Sequence, residues 1–178
     1  MPLDVLKYYP PAKSVYHQVE LEDVDTDTDD SKVAARKITI GAKLDPTGLI
    51  KAQVDFVFKN AKPVEGATSK RMNTAVKAEV ANGAATASGY SGAATASGYS
   101  GAATASGDYG AATASGDKSV ATATGYDGRA RGIVGTALLL VERDAEWNIV
   151  GAAGVLVDGK KIKADTWYRL HGGKVVTA

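Results

Sequence analysis

The sequence predicts an all-β protein organised around a short β-roll, and three observations predict it. Between Gly83 and Arg131 a nine-residue phrase of the form G-A-A-T-A-S-G-Y-S recurs in register, marked by Thr86, Thr95, Thr104, Thr113 and Thr122. Before it, apolar and polar residues alternate with the period of half-buried strands. After it, apolar runs are separated by the Asp158, Gly159 and Gly172, Gly173 steps of short hairpins. Three parts result: an N-terminal antiparallel β-domain over 1–82, an alanine-cored nonapeptide-repeat roll over 83–132, and a C-terminal antiparallel β-meander cap over 133–178.

The N-terminal part opens with Lys7, Tyr8, Tyr9, Pro10 and Pro11, a proline-restricted extended arm. Val15, His17, Val19 and Leu21 alternate with Tyr16, Gln18, Glu20 and Glu22, which predicts a strand. Ile50, Ala52, Val54, Phe56 and Phe58 alternate with Lys51, Gln53, Asp55, Val57 and Lys59, which predicts another. Shorter patterns surround Ile38 and Ile40 and run through Thr74, Val76, Ala78 and Val80; Asn82 before Gly83 marks the turn into the roll. This region is expected to dock the chain onto a larger assembly.

In the repeats, A-A-T-A-S reads as a short strand, because side chains alternate between faces. Ala85 and Ala87, with Ala94, Ala96, Ala103, Ala105, Ala112, Ala114, Ala121 and Ala123, fall on one side and form the expected core. The G-Y-S-G that follows is the corner, where glycine is expected to supply positive φ. Two phrases close a coil of about eighteen residues. Methyl groups alone bury little surface against the entropy of ordering the chain. The slender core therefore predicts support from end caps and from sister subunits, as a homotrimer.

After Arg131 the run from Gly135 to Asp144 leads into one from Ile149 to Val157 that is apolar on both faces, which predicts burial on both sides. Trp147, Trp167 and Tyr168 are expected to supply the bulk that alanine lacks.

The late repeats Ala121-Thr-Ala-Thr-Gly-Tyr-Asp-Gly-Arg-Ala-Arg-Gly132 precede Ala137-Leu-Leu-Leu-Val-Glu-Arg-Asp144, Asp165-Thr-Trp-Tyr-Arg-Leu170 and Gly172-Gly-Lys-Val-Val176. Together, over about 83–176, they resemble uncharacterised repeat proteins of phages and prophage-bearing bacteria. The resemblance implies a setting, a virion or bacterial surface structure, and no catalytic site. The A-x-A-x-G rhythm is also similar to the heads of trimeric autotransporter adhesins, whose repeats are longer.

A net charge of +1 offers no electrostatic footprint for nucleic acid or an anionic membrane. The absence of cysteine excludes disulfides and thiolate metal sites. The opening residues carry no basic and apolar secretory signal, and no apolar run reaches membrane-spanning length. The expected location is a virion, or an extracellular surface reached by another route. His17 and His171 stand near no nucleophile motif, and the glycines spell no phosphate loop, so no enzyme is expected. Asp23, Asp25, Asp27 and Asp29 form the one candidate metal cluster, for Ca2+, although the sixth and twelfth positions counted from Asp23 are Thr28 and Ala34, which breaks the EF-hand pattern.

Two features offer a binding surface. Tyr90, Tyr99 and Tyr126 recur at the corners, where aromatic rings stack on sugars or pack against a protein receptor. The threonine ladder resembles ice-binding solenoids, but consecutive phrases fall on opposite faces of a two-phrase coil and leave two or three threonines on each. The expected function is a non-catalytic structural protein of a phage virion, as a head fibre, decoration or tail-fibre component. A surface adhesin that binds a glycan or receptor is the alternative, and an ice-binding solenoid the second.

Overall fold

The structure, a computed structural model, describes residues 1–10, 13–25 and 33–178. Pro11 of the arm and Asp27 and Asp29 of the acidic cluster lie outside the described residues. The chain divides into two compact units, Met1–Gln53 and Val54–Ala178.

The first unit begins with a 3-10 helix, Pro2–Lys7. The amides of Tyr8 and Tyr9 both bond back to the carbonyl of Val5, so the arm starts coiled instead of extended. Strands β1 (Tyr16–Val24) and β2 (Ala35–Leu44) pair antiparallel as a two-stranded sheet. The register slips by one between His17 and Val19, where Gly41 and Ala42 of β2 stand opposite Gln18 of β1. The alternation along β1 therefore continues, and Tyr16 with Leu44 lies on the other face from Val19 with Ile40.

Residues 46–60 correct the sequence reading, since the expected strand is a helix, α1 (Pro46–Asn60). The Asp45 side chain accepts from the amide of Gly48 at 2.7 Å, and Pro46 occupies the first turn, where its missing N–H is not needed. Leu49, Gln53, Val54 and Val57 are buried at helical spacing, while Phe56 and Phe58 are exposed. The apolar residues satisfy both periods, and the Asp-Pro cap decides between them.

The second unit is a β-solenoid. Strands β3 (Lys62–Ser69), β5 (Gly83–Ala87), β7 (Ala102–Ala105) and β9 (Val120–Ala123) stack parallel in one sheet. Strands β4 (Ala75–Ala78), β6 (Ala93–Ala96), β8 (Ala111–Ala114) and β10 (Arg129–Gly132) stack in the other. Each phrase crosses to the opposite sheet, so Thr86 lies beside Thr104 and Thr95 beside Thr113. The parallel ladder begins before Gly83, at β3 and β4. Ala67, Val76 and Ala78 already point inward there, and Asn73 and Asn82 already take the corner conformation.

All ten predicted core alanines are at most 1% exposed. One chain thus closes over the methyls that the sequence argument assigned to sister subunits. The corner chemistry differs from expectation. Positive φ falls on Ser91, Ser100, Tyr109, Lys118 and Asp127, and the glycines two places before them have none. Those glycines answer another need: a Cβ on Gly89, Gly98, Gly107, Gly116 or Gly125 would stand 1.9 to 2.1 Å from a carbonyl oxygen of the preceding coil. Stacking distance excludes a side chain, and the turn itself does not require glycine.

At the C-terminal end, β11 (Ala137–Arg143) joins β9 in parallel and β12 (Ile149–Leu156) folds back on it antiparallel. On the other sheet β13 (Tyr168–His171) pairs antiparallel with β10 and with β14 (Lys174–Thr177). Leu138, Leu140, Val157, Tyr168 and Leu170 enlarge the core where alanine gives out. Two expectations fail here. Strand β12 ends its sheet, with Ile149 and Val150 exposed. Trp147 is also exposed, and Trp167 lies under the guanidinium groups of Arg129 and Arg131 at 5.1 and 4.5 Å from its ring centre.

Candidate functional site

Because each coil uses two phrases, corners alternate between the two edges of the solenoid. The backbone bonds from Asn73 to Tyr90, Ser91 to Asp108 and Tyr109 to Tyr126 run up one edge. Those from Asn82 to Tyr99 and Ser100 to Asp117 run up the other. The three corner tyrosines are therefore separated: Tyr90 and Tyr126 share an edge, and Tyr99 stands on the opposite one. There Tyr99 receives a hydrogen bond from the Lys118 ammonium at 3.1 Å.

On the shared edge four rings form a continuous strip. Tyr90 and Tyr109 have ring centres 5.3 Å apart, Tyr109 and Tyr126 5.8 Å, and Tyr126 and Trp147 6.5 Å. Their planes are tilted or edge-to-face, the arrangement ring quadrupoles favour, at about 0.5 to 1.5 kcal/mol per pair beyond burial. Asp108 braces the strip, accepting from the Trp147 indole Nε1 and from the Tyr126 amide, each at 3.0 Å. A shallow groove of about 360 Å³ runs along it, lined by Tyr90, Asp108, Tyr109, Tyr126, Ala145 and Trp147. Partial desolvation, then the neighbouring Tyr90 and Tyr126, push the Tyr109 phenol above its ordinary pKa and keep it neutral.

The strip holds aromatic residues in conformations they rarely adopt. Tyr109 has φ of 56° and Trp147 of 64°, yet 43% and 59% of their surfaces remain exposed. Bulky side chains at positive φ are outliers that persist only where their surroundings over-determine them. Around Trp147 the cause is visible. The Asp144 carboxylate accepts from the amides of Glu146 and Asn148, and Arg143 donates to the Trp147 carbonyl at 2.7 Å and to the Thr124 carbonyl at 2.7 Å. Hydrogen bonds from Asn148 and Glu146 hold the Asp144 carboxyl below its usual range, so this clamp is charged at neutral pH.

The model of a Domain of unknown function (DUF7666) matches residues 1–52. That is less than a third of the chain, and it coincides with the first compact unit. No curated protein and no solved structure matches.

The other predicted site residues are dispersed. Thr86, Thr104 and Thr122 stack on one sheet and Thr95 and Thr113 on the other, the division the two-phrase coil implies. Thr122 is buried, and Thr113 accepts a hydrogen bond from Arg131 at 3.3 Å. Asp23 and Asp25 lie at the end of β1, and among the described residues no group of three or more acidic or histidine side chains is placed to hold a metal. His17 faces the Gly41 carbonyl, and His171 lies 3.9 Å from Glu142.

Sequence reasoning missed Tyr109, Asp108 and Trp147. The eighteen-residue step that divides the threonines also carries Tyr90 to Asp108 and Tyr126, so Asp108 and its neighbour Tyr109 were within reach. Trp147 was not, because the fold of the β11–β12 hairpin brings it there.

Proposed function

We propose that this chain is a non-catalytic display protein of a virion or other extracellular surface, working as a homotrimer, whose aromatic edge binds a glycan. The observation that carries the reading is the strip of exposed Tyr90, Tyr109 and Trp147 with half-buried Tyr126, held by strained backbone and braced by Asp108. Solvent-facing rings that keep one fixed geometry present stacking surface with little entropy left to lose. A protein receptor would call for a desolvated apolar centre, whereas this groove is shallow and has Ala145 as its one aliphatic lining residue. Asp108, Asp144 and Glu146 make the surroundings acidic, which favours a neutral or amino sugar over a carboxylated one. The virion setting rests on the resemblance of 83–176 to phage repeat proteins, and the N-terminal unit is the part that attaches to a larger assembly.

A glycan array probed with the full chain tests this. Neutral or amino-sugar polymers are expected to bind and sialylated ones are not. Trp147→Ala and Tyr109→Ala should each weaken binding about tenfold, the effect of truncating an aromatic anchor. Tyr99→Ala, on the opposite edge, should leave it unchanged. Equal loss in all three variants, or no glycan bound, refutes the reading.

A further inference from the structure

The β1–β2 hairpin is a long ribbon that its own chain leaves half built. Two strands alone are marginal in water, and a stable sheet needs further strands or a covered apolar face. Beyond Tyr16 and Leu44, the register places Val19 opposite Ile40 and Leu21 opposite Ile38, so the four share one face. Ile38 is 58% exposed, Ile40 67% and Val19 42%. An apolar groove of about 680 Å³ at the base of the ribbon includes Val5, Tyr16, Val19, Leu44 and Leu49. Among the described residues, both outer edges of the ribbon also carry backbone groups that no strand pairs.

The strands themselves are segregated by charge: β1 carries Glu20 and Glu22 on the face opposite Val19, and β2 carries Lys37 on that face and Lys43 beyond the bulge. Lys37 donates to Glu22 across the ribbon at 2.8 Å, which shows the two rows in register. Glu20 and Lys43 are exposed and have no ion-pair partner among the described residues. A second ribbon laid β1 against β1 would set acid against acid, and β2 against β2 would set base against base. Only β1 against β2 brings opposite charges together, and like charges directly across a strand pair are destabilising.

We propose that the hairpins of three copies of this chain join head to tail, β1 of each to β2 of the next, into a closed six-stranded antiparallel barrel with Val19, Leu21, Ile38 and Ile40 inside. A contact of this head-to-tail kind generates a ring when its rotation closes. Two copies would supply four strands, too few to enclose branched side chains, since barrel diameter grows with strand number. Three is the smallest ring, and closure removes every free edge. The proposal deepens the homotrimer of the proposed function by naming the surface that forms it, and it rests on that reading only for the oligomer.

The test uses the full chain in light scattering coupled to size exclusion at micromolar concentration, at low and high salt. A trimer is expected, loosening as salt rises. Ile40→Glu should yield monomers. The pair Glu20→Lys with Glu22→Lys, and the pair Lys37→Glu with Lys43→Glu, should each weaken association about tenfold or more. The quadruple variant, which exchanges the two signs, should restore the ring. Unchanged solenoid tryptophan fluorescence verifies that each variant keeps its fold. A wild-type monomer or dimer overturns the proposal, and so does a quadruple variant no better than either pair. Glycan binding separates the two readings, because Trp147→Ala should still form the trimer and the monomeric Ile40→Glu should keep its affinity per site.

Discussion

Replacing Gly107 with alanine tests whether the corner glycines serve coil stacking. A Cβ there would lie 2.0 Å from the Gly89 carbonyl oxygen, 2.6 Å from its carbon and 3.0 Å from the Ser88 oxygen, all backbone atoms. Ordinary contact begins near 3.4 Å, so the coils must part by more than an ångström at this corner. They are held on both sides, by the Ser106 amide on Ala87 at 3.0 Å and the Ser91 amide on Asp108 at 2.8 Å. Nor can the strain escape upward, since the Gly107 carbonyl itself sits where a Cβ on Gly125 would be. Overpacking costs about 1 to 3 kcal/mol, and two weakened hydrogen bonds add about 1 kcal/mol each. The expected destabilisation is about 3 to 5 kcal/mol, on the order of 10 °C in Tm. Urea unfolding followed by tryptophan fluorescence reads it directly, because both tryptophans, Trp147 and Trp167, belong to the solenoid unit. Gly66→Ala is the control: no atom lies within 4 Å and only its φ of 73° resists the methyl, at about 1 kcal/mol. A Gly107→Ala midpoint no lower than that of Gly66→Ala would refute the stacking argument.

Ser91 lies at φ of 51°, so Ser91→Gly should raise stability by about 1 kcal/mol, read as a higher urea midpoint. Glu142 accepts from the Gly172 and Gly173 amides at 2.6 and 2.9 Å, and these bonds, Gly173 first, hold its carboxyl below the ordinary value of 4.5. A depressed folded pKa stabilises fully above the unfolded value, and that stabilisation is lost as pH falls through the folded one. Acid titrations of stability should show wild type losing this increment below about pH 4.5, while Glu142→Gln starts lower and changes less over the same range.

The roll was legible because its period is short and strict. Alternation within A-A-T-A-S assigned ten alanines to the core, and arithmetic on two phrases per coil divided the threonines between sheets. The same arithmetic separates Tyr99 from Tyr90 and Tyr126. The 50–59 run was misread because five alternating apolar residues fit a strand and a helix alike, and the signal that settles it, Asp45 before Pro46, lies outside the run. The bulge at Gly41 and Ala42 left no mark in the alternation, since a shift of one residue is a matter of strand pairing.

From the residues alone came what depends on near neighbours along the chain: the coil length, the methyl core, the corners and the division of faces. What only the tertiary structure decided depends on atoms far apart in sequence. Glycine at the corners answers to a carbonyl eighteen residues earlier, as at Gly107 and Gly89. Trp147 reaches Tyr126 and Asp108 through a hairpin that no local pattern places on that edge. Periodicity specifies which side of a strand a residue takes; what waits on that side is set by packing between coils.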